Sequence, residues 1–218
     1  MKPILYAHPF SSYCQKVLIA LYENDTPFAY RVLDDDPLVW REFEALWPLK
    51  RMPVLVDNGQ TVVESSVIIE HLALHYAGPV QLFPSEPRAA LEVRKMDRFF
   101  DNYVMTPMQK AVTDYLRKEE NRDPFGVSEA KATLDSAYRW LDGAMAGREW
   151  AAAGRFTLAD CAAAPSLFYA DWIHPIDEGL VNARSYRARL LARPSFARAV
   201  NEARPFRANF PPGAPHRD

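Results

Sequence analysis

Residues 4–24 read ILYAHPFSSYCQKVLIALYEN, and the fold turns on how this stretch is parsed. A short apolar run at residues 4–6 stops at His8-Pro9, and two hydroxyls, Ser11 and Ser12, follow. Val17, Leu18, Leu21 and Tyr22 then recur at the spacing of a helix face. The stretch therefore reads as a strand, a turn and a helix over residues 12–24. The hydroxyls fall at the helix mouth, where unpaired N–H groups and the helix dipole gather partial positive charge.

Working outward, residues 28–33 alternate well enough for a second strand, which makes a parallel, right-handed strand, helix, strand unit. Asp36-Pro37 opens a helix that carries Trp40, Phe43 and Trp47. Two β-branched runs, 54–56 and 61–63, flank Asn58-Gly59, the pair favoured by hairpin turns that need positive φ at both central residues. A third helix starts at Ser65, with Val67, Ile68, Leu72 and Tyr76 expected on its inner face. The order is β-α-β-α-β-β-α.

From Ala77 the texture changes. Gly78-Pro79 and Phe83-Pro84-Ser85-Glu86-Pro87 form a proline-rich connector, and no strand pattern follows it. We divide the chain into a first domain at 1–77, a linker at 78–87 and an all-helical domain at 88–218. In the last, residues 91–120 read as one long helix bent at Pro107, and 128–145 as a second. Thr157 with Asp160 three residues on forms a variant capping box ahead of an Ala-rich helix reaching Trp172. Helices near 185–192 and 194–203 finish the fold, and the proline-containing tail from 205 is irregular.

Composition narrows the function. The chain has 218 residues, 49% of them hydrophobic, so it can bury a core; its net charge of -2 gives no general reason to expect nucleic-acid binding. No run approaches the ~20 apolar residues of a membrane span, and the start has too short an apolar run for a signal peptide. Cys14 and Cys161 are too few for a disulfide framework, which suits a cytoplasmic protein. His71 and His75 lie four apart without a third ligand, so no metal is expected. Neither a Walker loop nor a Gly-x-Gly-x-x-Gly cradle is present. Between positions 181 and 218 eight arginines stand against Glu202 and Asp218, and solvated helix faces offsetting the acids of 34–44 account for them.

The whole pattern resembles the cytosolic glutathione transferases. Its carriers are Phe10-Ser11-Ser12-Tyr13-Cys14, the stretch Lys50-Arg51-Met52-Pro53-Val54-Leu55-Val56-Asp57, Glu64-Ser65-Ser66, and Phe156-Thr157-Leu158-Ala159-Asp160. The resemblance implies a thioredoxin-like first domain, an all-helical second one, a homodimer, and a detoxifying transferase with glutathione as co-substrate and no metal. Met52 before a cis Pro53 would offer backbone groups to the extended tripeptide. Ser65 would receive the γ-glutamyl carboxylate at a helix N-terminus, Glu64 its amine, and Lys50 or Arg51 the glycyl carboxylate. Asp160 matches the family's buried capping aspartate, a folding element.

The catalytic position in the family holds Tyr, Ser or Cys. Counting back from the helix face, Ser11 matches the serine of theta-like and zeta-like classes, with Ser12 next in rank. Tyr13 stands where the zeta motif has cysteine, which weakens an isomerase assignment. Isomerisation, dehalogenation and peroxide reduction stay open as reactions of the same site, as does a non-catalytic binding protein of the same fold. Ser11-Ser12-Tyr13-Cys14 also reads as a glutaredoxin motif with its nucleophilic cysteine replaced. The layout of the family assigns Phe10, Tyr103, Pro107 and Tyr169 to an apolar pocket for a small electrophile.

Overall fold

The computed structural model describes residues 2–218. Four strands, β1 (Ile4–Ala7), β2 (Ala29–Val32), β3 (Val54–Asp57) and β4 (Gln60–Val63), form one sheet in the order β2-β1-β3-β4. β1 and β2 are parallel, with Leu5 beside Tyr30, while β3 runs antiparallel to both β1 and β4. The hairpin turns at Asn58 and Gly59, whose φ values of 47° and 81° are the left-handed pair that this dipeptide adopts readily.

Three helices accompany the sheet: α1 (Ser12–Glu23), α2 (Pro37–Leu46) and α3 (Ser65–His75). On one side Tyr6, Leu33, Val39, Phe43 and Val54 form a small core under α2. On the other, the buried faces of α1 and α3 join a large core continuous with the helical domain. Tyr6 belongs to the first core and donates its hydroxyl to Glu42 (3.0 Å), so it serves strand packing. The inner residues of α3 are Ile68, Ile69 and Leu72; Val67 faces outward, contrary to the sequence expectation.

The second domain contains no strand among the described residues. Its helices are α4 (Pro87–Phe99), α5 (Thr106–Tyr115), α6 (Pro124–Ala144), α7 (Leu158–Ile173), α8 (Val181–Leu191) and α9 (Pro194–Ala203). The expected single helix over 91–120 is broken earlier than Pro107 alone requires. A π-helical segment, Phe100–Met105, joins α4 to α5, and both the N–H and the hydroxyl of Thr106 reach the Asp101 carbonyl. α6 begins at Pro124, four residues before the expected start, because Asp123 caps it by accepting from Gly126 N (2.8 Å).

α7 is buried along nearly its whole length and packs against α1. Its start is a complete capping box: Thr157 and Asp160 satisfy each other's backbone, and Asp160 also accepts from Ala151 N (3.0 Å) and Tyr186 Oη (2.6 Å). Six of the eight arginines beyond residue 181 pair with Glu23, Asp171, Glu202 or Asp218 and not with the acids of 34–44, while Arg184 and Arg189 donate to the carbonyls of Ile176 and Glu149. No helix among the described residues is long and apolar enough to cross a membrane.

Candidate active site

Ser11 occupies the N-cap position of α1 with extended backbone angles (φ −81°, ψ 126°), yet its side chain makes no capping bond. Its N–H donates to the His8 carbonyl (3.0 Å), and its carbonyl accepts from Gln15 N (2.9 Å), so the main chain is fixed while the hydroxyl is left for other work. Ser12 is the first helical residue and is buried. Cys14 is fully buried one turn on, and burial pushes its thiol up to about 12 against the opposing influence of the Ser11 hydroxyl beside it. A protonated thiol can donate to Ser11 Oγ, which frees the serine O–H to point at a ligand.

Both serines open onto a cleft of about 190 Å³. Phe10, Met108, Val112 and Tyr169 supply apolar walls, and Gln109 a polar edge. The tail crosses the cleft with Asn209, Phe210 and Pro211. Tyr169 is buried; its hydroxyl donates to the Phe10 carbonyl (3.0 Å) and accepts from Gln15 Nε2 (3.1 Å), while its ring meets Phe10 edge-on at 5.4 Å. Thus α7 sets one wall of the cleft directly against the serine turn.

Two of the four residues assigned to this pocket lie elsewhere. Tyr103 stands 56% exposed on the π segment beside Phe99, with ring centroids 6.0 Å apart, and Pro107 is buried inside α5. Both were assigned from the layout of the family; here a π turn holds Tyr103 and changes the helical register ahead of α5, which carries Pro107. The tail residues could not be placed from local pattern, since irregular chain carries no periodicity. Met108 and Val112 did show the four-residue spacing of a helix face.

The remaining candidates gather at the neighbouring end of the sheet. The Met52–Pro53 peptide bond is cis, at the entry to β3. Lys50 and Arg51 are exposed ahead of it, and Lys50 is paired with Glu44 (2.8 Å). Glu64 precedes α3 with φ 69°, a left-handed conformation that a non-glycine residue holds at a cost of ~1–3 kcal/mol. Ser65 follows as the first residue of α3, buried at the helix mouth.

Under this turn lies a network that residue-by-residue reading missed. Lys16 of α1 is fully buried and ion-paired with Asp97 (2.6 Å) and Asp101 (2.9 Å), and it also donates to Ser66 Oγ (2.9 Å). Ser66 donates to Asp97 (2.9 Å), and Arg98 closes the group from the solvent side. The legible signal was a lysine within the apolar face of α1 together with two aspartates four apart on a partner helix. Burial lifts the Asp101 carboxyl above its ordinary range even with Lys16 beside it. The network ties α1 and the start of α3 to α4 and so holds Ser65 in place.

His71 Nε2 meets Asp57 at 2.8 Å, and the rings of His71 and His75 lie 4.4 Å apart. Among the described residues no group of three or more His, Cys, Asp or Glu side chains is arranged to hold a metal ion.

A sheet with a cis-proline turn, joined to a helical domain that closes an apolar cleft over a serine-bearing helix mouth, defines a thioredoxin-like two-domain protein. Residues 5–80 match the glutathione S-transferase N-terminal domain, and residues 124–189 the glutathione S-transferase C-terminal domain. Together these matches cover more than half of the chain, which belongs to the glutathione S-transferase family.

Among curated relatives, glutathione S-transferase D7 of Anopheles gambiae is 27% identical over 164 residues, 74% of this chain and 73% of that protein. FtsZ-localized protein A of Caulobacter vibrioides is 26% identical over 205 residues, 88% of each chain. The matches to four further transferases, from Drosophila melanogaster, Nicotiana tabacum and Arabidopsis thaliana, span 52% to 57% of their lengths. The solved glutathione S-transferase of Methylobacterium radiotolerans, in complex with glutathione sulfonate, superposes with a TM-score of 0.78 at 27% identity, over 92% of this chain and 95% of that one.

Proposed function

We propose that the chain is a glutathione transferase that adds the glutathione thiolate to small apolar electrophiles, with the Ser11 hydroxyl stabilising the sulfur. The observation that carries this reading is Ser11 itself: it sits at the mouth of α1, spends no side-chain bond on capping, and opens onto an apolar cleft. Residues 1–77 bind the tripeptide, 78–87 form the linker and 88–218 supply the electrophile pocket. The role is cytoplasmic and detoxifying.

Glutathione enters as substrate. The mouth of α3 at Ser65 suits the γ-glutamyl carboxylate, Glu64 its amine, and the backbone of Met52 the cysteinyl peptide group. Arg51 suits the glycyl carboxylate better than Lys50, which Glu44 already engages. A free thiol titrates near ~8.5, and making it mostly thiolate at neutral pH requires a shift of about two units, or ~2.7 kcal/mol. A hydroxyl donating to a charged acceptor contributes roughly 1.5–3 kcal/mol and a helix N-terminus about 0.3–1 more. The thiolate then bonds to the electrophilic carbon. A leaving group departs with its bonding pair, or an activated double bond takes the pair and afterwards a proton.

Replacing Ser11 by Ala should raise the pKa of the bound thiol, leave glutathione affinity nearly unchanged and lower kcat/KM by about ten- to a hundredfold. Ser12→Ala should stay near wild type. Spectroscopic titration of the bound thiolate alongside steady-state kinetics tests both, and an S11A variant with unaltered turnover and pH profile would pass the role to Ser12. A panel of electrophiles, peroxides and disulfides separates transfer from isomerisation, dehalogenation and peroxide reduction.

Similarity to FtsZ-localized protein A over 88% of each chain favours a second reading, a glutathione-transferase-like interaction protein without turnover. Calorimetry with glutathione decides between the two: absence of binding sinks the transferase. The quaternary reading is a homodimer formed through α3 and α4, where Val67, Leu74 and Leu91 present apolar side chains to solvent.

A further inference from the structure

At the C-terminal end of α7, beside Asp171, three arginines meet around a cavity of about 460 Å³. Arg184 and Arg187 lie one turn apart on α8, and Arg217 arrives from the tail. The carboxylates within reach are Asp171 and Asp218, and both are already committed. Asp171 accepts from Ile176 N (2.8 Å) and pairs with Arg217. Asp218 is held by Arg204 (3.2 Å) and Arg207 (3.0 Å). Four guanidinium groups thus share two side-chain carboxylates, Arg184 has the Ile176 carbonyl (3.0 Å), and positive charge remains in surplus in a partly enclosed space.

Arg187 concentrates that surplus. Its side chain is only 14% exposed, and its guanidinium lies over the Phe168 ring at 5.9 Å. Nη2 is 3.2 Å from Asp171 Oδ2 but off the hydrogen-bonding line, so Nε and Nη2 are both buried without an acceptor. Both atoms face packed protein beside Asp171, so the remainder of the guanidinium is what Arg187 contributes to the lining of the cavity. Burial, together with Arg217 and Arg184 nearby, lowers the Arg187 pKa, and a bound anion would reverse this pressure.

We propose that this cavity binds a phosphate group, free or carried by a small molecule, held by the three arginines that line it, Arg184, Arg187 and Arg217. A dianion fits because a single negative charge would leave the surplus only partly neutralised, and arginine forks match phosphate oxygens in geometry as well as charge. The site is separate from the serine cleft and does not depend on the transferase reading.

The test is thermal denaturation and calorimetry of the full chain with inorganic phosphate and with phenyl phosphate, against sodium chloride at equal ionic strength. A saturable rise in Tm that chloride does not reproduce is expected. Arg184→Glu, an exposed charge inversion, and Arg187→Met should each weaken the response at least tenfold while glutathione transfer is unchanged. Arg184→Glu carries the test should Arg187→Met fold poorly. Binding of both probes points to a phosphate ester as the natural occupant, and binding of inorganic phosphate alone to free phosphate. A response equal to that of chloride, or one that survives intact in R184E, overturns the site.

Discussion

At the scale of single residues, Cys14 and Ser11 show how burial divides roles between neighbours. The thiol of Cys14 is held near 12 by desolvation, so almost none is thiolate at neutral pH, and the sulfur is enclosed. Cys161 is likewise buried with its thiol pushed up. Native protein should therefore resist iodoacetamide while denatured protein takes up two equivalents, as mass spectrometry would show; rapid native labelling of Cys14 would refute its burial. For Ser11 the pH dependence has a definite sign. A hydroxyl that favours the thiolate lowers the bound thiol's pKa, so the rising limb of kcat/KM should move to higher pH in S11A.

At the scale of elements, two aspartates act as pins. Asp160 receives Ala151 N, Thr157 N and Tyr186 Oη inside the core. Asp160→Ala orphans three buried donors at roughly 1–3 kcal/mol each, partly offset by relaxation, so a loss of about 3 kcal/mol or more is expected in urea denaturation. Asp57 ties β3 to the end of α3 by accepting from Tyr76 Oη (2.6 Å) and His71 (2.8 Å). The Tyr76 hydroxyl and then His71 hold its pKa below the ordinary value. Since the folded state then binds the proton less readily than the unfolded one, this stabilisation is present at neutral pH and is lost as pH falls below the usual carboxylate range. Asp57→Asn should flatten the acid limb of a Tm-against-pH profile.

At the scale of the whole molecule, the outward apolar residues of α3 are the informative ones. Val67 and Leu74 are seven apart, share a helix face, and are 53% and 79% exposed. If that face is the dimer interface, light scattering should report a dimer for the wild type and a monomer for Val67→Glu/Leu74→Lys, with glutathione binding weakened by the loss of the neighbouring subunit. A wild-type monomer at micromolar concentration would remove the dimer from the proposal.

Element order, the hairpin at Asn58-Gly59, the capping box at Thr157 and the serine helix mouth were all legible in the chain, because each depends on neighbours within a turn or two. Tyr103 and Pro107, assigned from the layout of the family, do not line the serine cleft, and the π segment interrupts the single helix expected to carry them. The charge pairing of Lys16, the orphaned edge of Arg187 and the tail wall of the cleft lay beyond local pattern. Each joins residues tens of positions apart, and whether a charged side chain is solvated or buried is settled only by what packs against it. The sequence by itself thus determined the elements and put a hydroxyl, from Ser11 or Ser12, at the helix mouth. The tertiary structure decided which surfaces that hydroxyl faces and which charges the core encloses, since both follow from desolvation in the folded chain.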